Sequence, residues 1–304
     1  MNIIKKLKNI IKEKINKSLN PILFYQKKNI LEQNILFCTE SGVISEKYCD
    51  HDIIVSLTTY SKRLYEVHLT IESIMEQTMK ANRIILWLDY SLQNKSLPKA
   101  LQLLQKRGLE IQYCEDIRSY KKLIPTLEQY PNDAIITIDD DLIYEFDLLE
   151  NLITSYLKNK SYIYCHRYHK MRFDSKGNLL PYAQWKWQDN NTEAHVLNFP
   201  TSGAGTLFPP NSLDPEVLNK NVFMNICKYA DDVWFKAMAL KKGTLVKKVY
   251  SHSKTSEEYM ENPNNQDIGL FNINVHGKSL NDKQIIDVFT KYNLYPIITN
   301  SHKK

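Results

Sequence analysis

From Asp52 onward, apolar runs of strand length alternate with stretches of helical period, and this alternation most narrows the folds open to the chain. Residues 53–57, 83–89, 109–113 and 134–138 read as strands, and 64–79, 98–107, 121–129 and 146–159 as helices, with Gly108 ending the second of these. Strand and helix in turn make βαβ units, hence an α/β fold with a mainly parallel central sheet flanked by helices. In such sheets a ligand binds beyond the carboxyl ends of the strands. Thr58, Thr59, Asp89 and the run Asp139-Asp140-Asp141 all stand at those ends, on one edge. No G-x-G-x-x-G follows the first strand and no G-x-x-x-x-G-K-[ST] occurs, which excludes a dinucleotide fingerprint and a P-loop.

The 304 residues suit one large domain with appendages: a helix over 1–20, a linker over 21–50 and a body over 51–304. The net charge of +6 is concentrated at the front, where residues 1–28 hold eight lysines and one acid, Glu13, against 32 basic and 33 acidic residues in the remainder. A nucleic-acid-binding domain carries a basic stripe on its folded body, and none follows residue 28, so nucleic acid is not expected as a partner. Five cysteines, odd in number and never in a C-x-x-C pair, fit neither a disulfide framework nor a zinc site. Without a long apolar stretch or a cleavable leader, the chain is expected in the cytoplasm.

Apolar residues at Ile3, Ile4, Leu7, Ile10, Ile11, Ile15 and Leu19 recur every three or four positions, the mark of an amphipathic helix whose other faces are rich in lysine. Such a helix can lie in a membrane interface, each lysine near anionic lipid contributing about 1 kcal/mol, or dock on the protein's own body. Pro21 is expected to end it. The membrane reading places the protein on the inner face of the cell membrane as a peripheral enzyme.

Carboxylates leaving a buried strand together repel one another, and a cation offsets the cost. Oxygen ligands select hard ions, so Mn²⁺ or Mg²⁺ is expected, with Asp139 and Asp141 dividing ribose and metal between them. A solvated turn capping the next helix is the plainer alternative. A second acidic pair, Asp231-Asp232, opens a helix, where a carboxylate serves as a base or as an N-cap. Ahead of it, residues 201–206 (TSGAGT), with Gly205, either let backbone approach a ligand or form a tight turn.

In order, VSLTTYSKRL, IILWLD, KKLIPTL, ITIDDD, GAGTLFP and ADDVW resemble bacterial glycosyltransferases of the A-type (GT-A, Rossmann-like) fold, close to glycosyltransferase family 2, over residues 52–245. The resemblance implies a D-x-D-type element with Asp139 and Asp140 near the nucleotide and Asp141, with Asp139, on the metal. It implies that Thr58, Arg63 and Asp89 line the nucleotide pocket, and that Lys121 or Lys122 faces the base or the diphosphate. It makes Asp231-Asp232 the counterpart of the family's Glu-Asp element, with Asp232 as general base for the acceptor hydroxyl. The body then divides near residue 145 into nucleotide-binding and acceptor-binding halves. Trp185 and Trp187 offer sugar-stacking faces, though alternate tryptophans also suit core packing. Some enzymes of this type add a late histidine to the metal, for which His252 and His276 are available.

The implied activity is metal-dependent, inverting transfer of a sugar, from a UDP-sugar above all, to a glycan or lipid-linked acceptor in lipooligosaccharide or capsule synthesis. Rival readings are a sugar nucleotidyltransferase, whose glycine-rich loop after the first strand is replaced here by TTYSKRL, a metal-dependent phosphohydrolase, and a carbohydrate-binding scaffold.

Overall fold

The computed structural model describes residues 2–250, 259–264 and 280–302, with side chains from residue 19 onward. Helix α1 (Asn2–Phe37) is followed by β1 (Ile53–Thr58), α2 (Val67–Met75), β2 (Arg83–Asp89), α3 (Lys99–Gln105), β3 (Leu109–Cys114), α4 (Ile124–Gln129) and β4 (Ala134–Thr137). The chain continues through β5 (Leu142–Tyr144), α5 (Leu148–Lys158), β6 (Ile163–Cys165), β7 (Tyr168–Lys170), β8 (Asn198–Pro200) and β9 (Thr206–Phe208). It closes with α6 (Lys220–Ile226), α7 (Asp231–Lys242), β10 (Val246–Lys248), β11 (Tyr259–Glu261), α8 (Leu280–Lys291) and α9 (Tyr295–His302).

Seven strands form the central sheet in the order β10-β6-β9-β4-β1-β2-β3. β4, β1, β2 and β3 run parallel, as do β6 and β10, while β9 is antiparallel to both its neighbours. This is the mostly parallel, helix-flanked sheet expected from the alternation, and it is Rossmann-like, as the resemblance implies. Period-two side chains explain its two faces: Ile53, Val55 and Leu57 enter the core beneath α2, α3 and α5, whereas Ile135 and Phe208 enter the core shared with α7 and α8.

The front of the chain departs from expectation. Proline inside a helix forfeits one backbone hydrogen bond, yet α1 runs through Pro21 to Phe37. Phe24, Leu31 and Ile35 are buried, the first two against Leu69 of α2 and Ile143 of β5. Each such side chain contributes about 1.5–3 kcal/mol on full burial, enough together to offset the missing bond. Residues 21–37 are therefore a docked helix and not a linker. None of the five cysteines forms a disulfide.

One core residue works against stability. Lys236 of α7 is fully buried and its Nζ has no hydrogen-bond partner among the described residues. Burial pushes its pKa down to about 7 from 10.5. The unfolded chain therefore holds the proton more tightly, and the cost of carrying an ammonium into the core is greatest below about pH 7 and fades as pH rises towards 10.5. Lys236→Met is expected to raise the melting temperature by about 2–6 °C at neutral or lower pH, with a gain that shrinks in alkali; melting curves across pH check this.

Candidate active site

A cavity of about 870 Å³ opens at the carboxyl edge of the sheet. β1 delivers Thr58 and Thr59 to it, and the 3₁₀ turn Ser61–Tyr65 swings Arg63 in behind them. β4 runs out into Asp139, Asp140 and Asp141, the turn Arg118–Lys122 brings Lys121 and Lys122, and the first turn of α7 brings Asp231 and Asp232. Beyond β6 comes Arg167, and the far wall holds His169, Tyr182, Trp187 and Phe199, with Tyr259 and Glu261 from β11.

Local backbone geometry fixes the aspartate run. The Asp139 N–H donates to the Gly203 carbonyl at 3.2 Å and to Tyr144 Oη at 2.9 Å, while the Tyr144 hydroxyl donates to that same carbonyl. A Cβ on Gly203 would fall 1.7 Å from Asp139 Oδ2, so only glycine fits. Gly203→Ala is expected to displace that carboxylate and, since a shift near 1 Å costs on the order of 100-fold, to lower kcat/KM by about that factor in a turnover assay.

Cations thread the carboxylates together. Arg63 spans Asp140 at 2.7 Å and Asp141 at 3.0 Å, and Lys122 spans Asp139 at 2.9 Å and Asp231 at 3.0 Å. Burial opposes ionisation of Asp139, but the Lys122 ammonium outweighs it and holds this carboxyl below its usual range. At Asp140 burial prevails over Arg63 and raises the pKa. Burial, reinforced by Asp139 and Asp140, pushes Asp141 up to about 7 despite Arg63. Asp232 accepts hydrogen bonds from the Ser202 N–H at 2.9 Å and from the Ser202 hydroxyl; burial and then the Asp231 charge push it up to about 6.

Seven acids and five Lys or Arg side chains line the cavity among the described residues, two more acidic than basic groups. That excess and the all-oxygen donor set fit one hard divalent cation. The three carboxylates of the run do not converge on a common point: among the described residues, three ligand atoms gather within 4.8 Å of one another at Cys49, Asp50 and His51. That cluster is spoken for by its own contacts, Asp50 with Lys160 at 2.9 Å and His51 with Tyr156 at 2.7 Å. A cation at the aspartate run would thus take one or two carboxylates and complete its shell from phosphates and water, as Mg²⁺ commonly does.

The cavity gathers Thr58, Arg63, Lys122, Asp139, Asp140, Asp141, Trp187, Asp231 and Asp232 from the residues expected by sequence. Three others lie outside its lining. Asp89 turns back to accept from the Ser91 N–H at 2.9 Å, capping the turn Tyr90–Leu92. Trp185 is buried, donates to the Leu180 carbonyl at 2.8 Å and packs its ring 5.3 Å from Phe199. Gly205 has φ +95 and serves the turn into β9, where its carbonyl accepts from the His166 N–H. His252 and His276 lie outside the described residues.

Arg167 was not foreseen. Its Nε donates to Thr201 Oγ1 at 2.6 Å and a terminal nitrogen donates to Tyr259 Oη, while among the described residues it forms no ion pair. Burial disfavours its charge, but Tyr259, Asp139 and Asp232 more than compensate and raise its pKa. The rule that polar residues at the carboxyl ends of buried strands mark a site, applied to residues 163–165, points to it. Next to it, His169 Nδ1 accepts from the Gln188 N–H at 3.1 Å, and burial together with Arg167 holds this histidine neutral, its pKa down at about 3. Its ring lies 4.5 Å from Trp187 and 5.8 Å from Tyr182, forming an aromatic wall.

Fold and site together define a Rossmann-like α/β protein with an acidic, cation-bridged cavity at the carboxyl edge of its sheet. No family model matches the sequence, and no curated protein matches it either. Among solved structures the chain is similar to a CMP:2-keto-3-deoxy-manno-octonic acid synthetase complexed with CTP, at 10% identity and a TM-score of 0.37 over 66% of this chain and 89% of that one. The chemistry of the present chain has to be read from its own cavity.

Proposed function

We propose that this protein is a metal-dependent glycosyltransferase that moves a sugar from a nucleotide sugar to a glycan acceptor with inversion, in the synthesis of a bacterial surface polysaccharide. The observation that carries this reading is that two acidic elements ninety residues apart in the chain face one cavity and are joined across it by Lys122. Thr58, Arg63 and Lys122 would hold the nucleotide diphosphate, with Asp139 near the ribose and Asp139 and Asp141 holding Mn²⁺ or Mg²⁺. That ion, when bound, would neutralise charge on the leaving diphosphate.

Asp232 takes the acceptor's proton in this reading. It is held by Ser202 alone among the described residues and its pKa of about 6 leaves it ionised yet basic near neutrality. Asp231, beside Lys122, positions that lysine. The aromatic wall of His169, Tyr182 and Trp187 supplies flat faces for a sugar ring.

A sugar nucleotidyltransferase is the second reading. It needs the nucleotide and metal groups but has less use for a basic carboxylate across the cavity. Thermal shift tests the shared part of both: Mn²⁺ and a nucleoside diphosphate together are expected to stabilise the protein more than the sum of either alone. A purely additive response would contradict a joint metal and nucleotide site.

A further inference from the structure

Helix α1 has a second face that the fold does not use. At about 100° per residue, Leu19, Ile22, Leu23, Ile30 and Phe37 fall within one sector of about 100° on a helix whose buried residues Phe24, Leu31 and Ile35 lie about 140° around the axis. The outer five are open to solvent, at 46% for Leu19, 56% for Ile22, 51% for Ile30 and 79% for Phe37. Gln26 and Gln33 interrupt the stripe without adding charge. Toward the N-terminus the same helix carries the concentrated lysines, eight against one acid over residues 1–28, on a chain that is otherwise close to neutral.

We propose that this outer stripe of α1 is the surface by which the protein lies on an anionic lipid bilayer. Apolar side chains along one side and lysines concentrated at one end are what an interfacial helix needs, the first for the acyl boundary and the second for acidic headgroups. A second copy of the chain would find the apolar stripe complementary but would meet the same lysines, a like charge, whereas an acidic headgroup layer complements both. No helix among the described residues is long and apolar enough to cross a membrane. Since Phe24 and Leu31 on the inner face pack on Leu69 and Ile143, and β5 follows directly on the aspartate run, a bilayer-bound α1 also sets the height of the cavity above the lipid. The inference concerns this surface and does not depend on which reaction the cavity runs.

Co-sedimentation of the full chain with vesicles tests it. The wild type is expected to bind vesicles of phosphatidylcholine mixed with phosphatidylglycerol, less so in high salt, and to bind pure phosphatidylcholine weakly. The double variant Ile22→Asp/Ile30→Asp, whose melting temperature should be unchanged because both positions are exposed, is expected to lose at least about tenfold in binding. Ile286→Asp, on the exposed side of α8, should bind as wild type. The proposal is overturned if the wild type ignores the anionic vesicles, if it binds both vesicle types equally, or if the double variant binds like wild type. It is equally overturned if the wild type is a dimer that the double variant dissolves and neither binds lipid, which would give the stripe to a second copy.

Discussion

On the proposed glycosyltransferase reading, replacing Asp232 by asparagine is expected to lower the rate of sugar transfer by about 10²–10⁴-fold, the range for loss of a general base, and to leave affinity for the nucleotide donor close to wild type. The asparagine oxygen still accepts from Ser202, so the loop carrying Gly203 keeps its place and the loss falls on kcat. The wild-type rate carries its own signature. In the proposed role the base works deprotonated, so activity is expected to fall as pH drops through the Asp232 pKa of about 6, and the part of that limb due to Asp232 is expected to be missing from the variant. Asp231→Asn acts differently: it frees Lys122 from one of its two carboxylates and is expected to change donor KM more than kcat. Steady-state kinetics on both variants across pH separate the two roles.

Arg167→Ala is expected to cost about 10²–10³ in kcat, the usual effect of removing a preorganised donor from a site where charge develops. Its guanidinium is already held by Thr201 and Tyr259, between the charges of Asp139 and Asp232, and reaches the cavity without a carboxylate partner among the described residues. Lysine keeps the charge but cannot hold both neighbours with one planar fork, so Arg167→Lys should recover only part of the rate. Tyr259→Phe, which removes one of those anchors while leaving the arginine, should fall between the two. Single-turnover rates for the three variants order the effects, and equal losses in all three would deny Arg167 a role beyond packing.

Strand periodicity made much of the framework legible. β2 occupies the expected residues 83–89, and β1, β3 and β4 differ from expectation by a residue at one end. The helix expected over 64–79 begins instead with the turn Ser61–Tyr65, because Arg63 is drawn to Asp140 and Asp141, and α2 starts only at Val67. What escaped detection is short or tertiary. β6, β9 and β10 have three residues each, too few to show a period, and the antiparallel insertion of β9 between β4 and β6 is a matter of long-range pairing. Arg167 follows one of those short strands. Pro21 is a stop signal in isolation and is overruled by burial further along the same helix.

At the site, charge was easier to read than direction. Both acidic elements reach the cavity, where Arg63 and Lys122 pair with them. Asp89 and Trp185 have the right chemistry but turn towards local partners, a capped N–H in one case and an aromatic core in the other. The small-residue stretch, expected either to let backbone approach a ligand or to form a tight turn, brings Gly203 against Asp139, and Gly205 supplies the backbone turn.

The most direct test is to identify the products formed from a panel of nucleoside-diphosphate sugars with Mn²⁺, with and without glycan acceptors. The glycosyltransferase account predicts release of the nucleoside diphosphate, slow in water and faster with the right acceptor, with transfer abolished in Asp232→Asn. Inertness towards every such donor, together with release of pyrophosphate from a nucleoside triphosphate and a free sugar, would contradict it and make the protein a nucleotidyltransferase.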